Sequence, residues 1–166
     1  LLPGGKATST NYTSYSRGIN GIMIDIAGLA DPAGLSVADF EFRTGNDNHP
    51  ADWPLLAVDP SLITVALRPG EGTDGSVRVT IIFPDGAIKK TWLQVTVKAT
   101  AATGLAAPDV HYWGNAVGDS GNSSSDTAVN VVDALGVRAN THTLLKPAPI
   151  NDAYDYNRDK QVNVQD

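Results

Sequence analysis

From Gly18 to Trp113 apolar residues fall on alternate positions in short runs, and Gly, Pro, Asn and Asp gather between the runs. A period of two places every second side chain on one face, which is the signature of a half-buried strand. The pattern predicts strands over 18–29, 37–43, 62–68, 76–83, 87–98 and 109–113, with an early one at 7–15. Val77, Val79, Ile81 and Phe83 share one face of their run, and Leu93, Val95 and Val97 share one face of theirs. Pro84-Asp85-Gly86 between these two runs predicts a hairpin, because Gly takes positive φ without a Cβ clash. Glu71–Gly75 and the Pro- and Asn-rich stretch 44–54 read as further loops. Six or seven short strands separated by turns predict a β-sandwich of the immunoglobulin-like kind.

After Gly114 the texture changes. Gly, Asn, Ser and Asp dominate, and one helix-compatible stretch, 131–138, stands among them. The expected organisation is a sandwich over 1–113 and a second segment over 114–166. Charge does not mark this boundary, since 11 acids and 8 bases precede it and 7 acids and 4 bases follow it.

Composition narrows the classes of function. The chain has 166 residues, 42% hydrophobic and 18% charged, enough to bury a core, and its 16 Gly and 10 Pro disfavour a helical bundle. A net charge of −6, with no basic cluster longer than Lys89-Lys90, excludes the electrostatic footprint of a nucleic-acid binder. With no cysteine there is neither a disulfide nor thiolate chemistry. No run approaches 18 apolar residues, so no membrane span is expected. The opening Leu1-Leu2-Pro3-Gly4-Gly5 carries no basic flank, which reads as a mature product or a piece of something longer.

The chemistry lies near the end. Residues 155–166 place oxygen-bearing side chains at positions 1, 3, 5, 9 and 12 of a twelve-residue loop, an aliphatic at 8 and a free carbonyl at 7. A hard cation wants 6–8 oxygens, and a tightly coiled loop whose alternate residues point inward supplies them. The same register recurs 33 residues earlier over 122–133, matching at positions 1, 3, 5, 8, 9 and 12. There Asn130 also serves as an N-cap, with Asp133 at N3 as the acidic half of a capping box.

The two copies resemble the duplicated segment of type I dockerins, with their D-x-N-x-D start, aliphatic at 8, Asn or Asp at 9 and Asp at 12. The resemblance covers residues 122–166. It implies two Ca2+ sites, one held by Asn122, Ser124, Asp126, the Ala128 carbonyl, Asn130 and Asp133. The other is held by Asp155, Asn157, Asp159, the Gln161 carbonyl, Asn163 and Asp166. Position 6, usually Gly in the family, is Thr127 and Lys160. Positions 10 and 11, where many dockerins carry a cohesin-contacting Ser/Thr pair, are Val131-Val132 and Val164-Gln165. The second loop has no helix after Asp166, so its site is expected to be incomplete without about a dozen more residues. The β region and the junction Tyr112–Ala116 also resemble the modules that precede such repeats in large exported bacterial proteins.

Other features carry less. Gly118-Asp119-Ser120-Gly121 resembles the neighbourhood of a protease serine, but no histidine stands in a base motif, and the β region is too short for two barrels. His49, His111 and His142 are scattered. Trp53, Trp92 and Trp113, with Tyr12 and Tyr15, offer flat faces to a sugar or pack a core. Asn11-Tyr12-Thr13 and Asn122-Ser123-Ser124 are glycosylation sequons by spelling. The expectation is therefore a monomeric, non-catalytic accessory module of a secreted or cell-surface protein. It binds calcium and attaches to a cohesin-like or cell-surface partner; the alternative is a carbohydrate-binding module of a polysaccharide-degrading enzyme.

Overall fold

A computed structural model describes residues 1–124 and 126–166; Ser125, position 4 of the first loop, lies outside them. Among these residues seven strands and one α-helix follow in order, with short 3-10 turns between them: β1 Tyr12–Thr13, β2 Gly21–Ile26, β3 Phe40–Gly45, β4 Thr64–Arg68, β5 Val77–Ile82, β6 Trp92–Val97, β7 Asp109–Asn115 and α1 Val131–Ala139. The strands form two sheets, one of order β1-β7-β6-β3 and one of order β2-β5-β4. The molecule is thus mainly β, a two-sheet sandwich. No helix among the described residues is long and apolar enough to cross a membrane.

The alternation read from the sequence is the alternation of burial. Val79, Ile81 and Phe83 on one sheet and Leu93, Val95 and Val97 on the other are buried, together with Ile22, Ile26, Phe40 and Phe42. Phe42 meets Phe83 edge to face across the sandwich, with ring centroids 5.1 Å apart. Each such side chain removed from water contributes roughly 1.5–3 kcal/mol before entropy is counted. On the outer side of the three-stranded sheet, Arg78 grips Asp25 directly opposite it through two hydrogen bonds of 2.8 and 2.9 Å.

The hairpin expected at Pro84-Asp85-Gly86 does not exist. β5 pairs with β2 and β4, whereas β6 pairs with β3 and β7, so this stretch carries the chain from one sheet to the other. Its turn chemistry is as expected, with Gly86 at φ 77. What the turn residues do not reveal is Ile88, which is fully buried between the sheets, while its carbonyl accepts the N–H of Ile19 at 2.8 Å. Gly18 allows this approach, because a Cβ there would strike the Ile88 carbonyl. Burying Ile88 at the open end of the core outweighs continuing the ladder as a hairpin.

The tail leaves at the end of β7 and is held to the sandwich. Asn115, buried at this exit, donates from its amide to the carbonyls of Thr13 and Tyr15, both at 3.0 Å, and accepts the N–H of Lys90 at 2.8 Å. Further on, the N–H of Gly118 reaches Ser14 O, and the N–H of Ser16 reaches Tyr156 O at 2.8 Å. The tail also has a small core of its own, Val137, Ala148, Tyr156 and Val162, with Tyr154 packed against it. Three backbone bonds close it: His142 and Val162 exchange theirs, and Ala148 N–H donates to Lys160 O.

Candidate functional site

Asx turns dictate the local path of the second loop. An Asn or Asp oxygen that captures the N–H two residues on coils the chain tightly. Asn157 captures Asp159, Asp159 captures Gln161 and Asn163 captures Gln165, at 2.8, 2.8 and 2.9 Å. Lys160 stands at φ 69, the left-handed conformation that position 6 demands and that Gly adopts most easily. The Lys160 N–H donates to Asp155 Oδ2 at 3.0 Å. Asp166 closes the loop by accepting the N–H groups of Tyr156, Asn157 and Asn163. Asp155, Asn157, Asp159, Asn163 and Asp166 are thereby drawn into one coil, with the Gln161 carbonyl on its path.

Asp155 supplies the test of fit. It is 2% exposed, and its Oδ1 has no hydrogen-bond partner. A buried carboxylate oxygen without a partner is costly, and a hard divalent cation is the ligand such an oxygen suits. Among the described residues no three of His, Asp and Glu converge as a metal cluster. Asp155, Asp159 and Asp166 therefore share the coil without meeting at one point.

The first loop follows a different path. Asn130 caps α1 through Val132 N–H at 2.8 Å, and Asp133 returns a bond to Asn130 N–H at 2.9 Å, the capping box expected from the spacing. Asp133 is 2% exposed and is the hub of the segment, since its Oδ1 accepts the Ser120 N–H, the Ser120 hydroxyl and the Asn122 amide. Burial works against its ionisation, but the bonds from Ser120 and Asn130 prevail and hold its carboxyl below the usual carboxylate range. Asp126 accepts the Ala128 N–H at 3.1 Å. Ser124 and Ala128 are exposed, and Thr127 does not take the left-handed conformation that Lys160 takes. Position 8 also differs, with Val162 fully buried and Val129 exposed.

Two tyrosines and one aspartate missing from the expected set belong to this region. Asp119 is 3% exposed; its Oδ1 accepts the Gly121 N–H at 2.6 Å, and its Oδ2 has no partner. The Tyr12 hydroxyl, reaching from β1, faces Asp119 but stands outside hydrogen-bond geometry. Burial and then the charge of Asp119 push the Tyr12 phenol up to about 12. Burial and then the charge of Asp133 do the same to Tyr156, also to about 12. The signal for Asp119 was present in Gly118-Asp119-Ser120-Gly121. Ser120 itself is bound to Asp133, not to a histidine.

Beside this region lies a cleft of about 560 Å³, lined by Tyr12, Asn46, Lys90, Trp92 and Asn115 from the sandwich and by Thr127 and Val129 from the first loop. Its floor is Gly114, which stands opposite both Trp92 and Tyr12 in the sheet; a Cβ there would come within 3.1 Å of the indole. Trp53 is buried, donating to Asp47 and meeting Tyr112 edge to face at 6.0 Å, and Trp113 packs against the core. The histidines stay apart: His111 pairs with Asp109, and His142 with the Lys146 carbonyl. No family model matches the chain, and neither a curated protein nor a solved structure matches it.

Proposed function

We propose that this chain is a non-catalytic accessory module of an exported protein, an immunoglobulin-like sandwich with a dockerin-like tail that calcium stabilises, serving attachment or assembly. The observation that carries the reading is the second loop. Its oxygen-bearing residues alternate along a chain coiled by successive Asx turns, and Asp155 carries a buried oxygen without a partner. Calcium here is structural: a tail with a core of only four buried apolar residues gains its binding free energy as folding free energy. Val131 and Val132, both exposed at the start of α1, stand where many dockerins carry a cohesin-contacting Ser/Thr pair and depart from it.

The test is calcium titration by calorimetry, joined to hydrogen exchange with and without chelator. Chelation is expected to raise exchange at the amides of His142, Ala148 and Val162, with β3, β5 and β6 unchanged. Equal protection of tail and strands under both conditions, with no heat of calcium binding, refutes it.

The cleft supports a second reading, a carbohydrate-binding module. Trp92 and Tyr12 lie over Gly114 beside Asn46 and Lys90, pairing flat apolar faces with amide and ammonium donors of the kind a pyranose engages. Retention on insoluble glycans, lost in Trp92→Ala, distinguishes this reading from attachment through the tail.

A further inference from the structure

The backbone bonds to the two closing aspartates place the loops in a register that differs from the spelling of the sequence. Asp166 Oδ1 accepts the N–H of Tyr156, the residue after Asp155, at 2.9 Å, and its Oδ2 accepts the N–H of Asn163 at 3.1 Å. Asp133 does the same with its own surroundings. Its Oδ1 accepts the N–H of Ser120, the residue after Asp119, at 2.9 Å, and its Oδ2 accepts the N–H of Asn130 at 2.9 Å. By this correspondence the partner of Asp155 is Asp119. Asn122 occupies no such place, since it touches Asp133 only through its side-chain amide, at 3.1 Å.

Burial agrees with the correspondence. Asp119 and Asp155 are 3% and 2% exposed, and each spends one carboxylate oxygen on a loop N–H and leaves the other buried without a partner. These are the only two carboxylates among the described residues with such an oxygen. Asp119, Asp126 and Asp133 do not converge on a single point.

We propose that the first loop is 119–133, three residues longer than the second, with Asp119 in place of Asn122 as its first calcium ligand. Asp133 follows Asp119 by 14 positions, where Asp166 follows Asp155 by 11. The Asn122 amide steadies Asp133. Both sites then hold three carboxylates: Asp119, Asp126 and Asp133 in one, Asp155, Asp159 and Asp166 in the other. This inference rests on the calcium reading of the tail.

The test is calorimetric calcium titration of the full chain and of two single variants, Asp119→Asn and Asn122→Ala, with melting measured in calcium and in chelator. Asp119→Asn, which keeps the side-chain shape, is expected to weaken one of two sites by at least about tenfold and spare the other, while Asn122→Ala weakens it by less than about threefold. The spared site reports that Asp119→Asn is folded. Asp119→Asn should also reduce the gain in melting temperature that calcium gives. Loss of a site in Asn122→Ala with none in Asp119→Asn overturns the register. An equal fall in melting temperature with and without calcium assigns Asp119 a structural role and overturns it as well. No calcium uptake by the unaltered chain overturns the calcium reading itself.

Discussion

Truncating Asn115 to Ala removes the clamp at the point where the sandwich hands the chain to the tail. The side chain is 5% exposed and makes three bonds, two as donor to Thr13 O and Tyr15 O and one as acceptor from Lys90 N–H. Alanine leaves the Lys90 N–H without a partner, at about 1–3 kcal/mol where water cannot reach it, while Thr13 O and Tyr15 O each lose one of two donors and keep the N–H groups of Ala116 and Gly18. The single orphaned N–H dominates, so the total expected is about 2 kcal/mol. For a chain of this size that is a fall in Tm of about 4–8 °C. Urea titration and calorimetry measure it. Asn115→Asp keeps the acceptor for Lys90 but sets a carboxylate against two carbonyls, so at neutral pH it should be at least as damaging. If Asn115→Ala unfolds within about 0.5 kcal/mol of the unaltered chain at an unchanged urea slope, the buried-clamp reasoning is wrong.

Lys160→Gly should stabilise the tail by up to about 1 kcal/mol, since φ 69 strains any residue with a Cβ and the N–H bond to Asp155 is kept; a net loss in a urea titration contradicts this. Val162→Ala should cost about 2 kcal/mol and speed exchange at His142 and Ala148, and a loss spread evenly over the sandwich strands would deny the tail a core of its own. The side-chain bonds from Arg78, followed by those from Thr73, hold the Asp25 carboxyl far below its ordinary value. A depressed carboxylate contributes fully above its unfolded value of about 3.9 and loses its contribution as pH falls toward the folded value. The stability difference between the unaltered chain and Asp25→Asn should therefore narrow below about pH 4, and a difference constant from pH 7 to pH 2 would remove Asp25 as a source of acid sensitivity.

All seven strands were legible, because alternation is a local property and Val79, Ile81, Leu93 and Val95 obey it. Their pairing was not. Pro84-Asp85-Gly86 reads the same whether the next strand folds back beside β5 or crosses to the other sheet, and the choice is made by the burial of Ile88 against partners distant in sequence. The α1 cap was readable because Asn130 and Asp133 act within one turn. The second loop was readable for the same reason, its turns being side chain to backbone over two residues. In the first loop the local spelling 122–133 matched a twelve-residue register, while the bonds run from Asp133 to Ser120, across an interval no fixed template spans. Asn115 carried no signal at all, since its importance comes from two carbonyls about a hundred positions away.

The route by which the tail departs has a mechanical consequence. It continues directly from β7, a strand paired on both sides, parallel to β1 and antiparallel to β6. Hydrogen bonds between strands lie across the strand axis, so a pull on the tail directed along β7 loads these bonds together in shear, where a pull on an edge strand would peel them one after another. The Asn115 amide sits at the loaded end and spans to both neighbouring segments, spreading tension into Thr13, Tyr15 and Lys90. A tether anchored this way yields late and all at once.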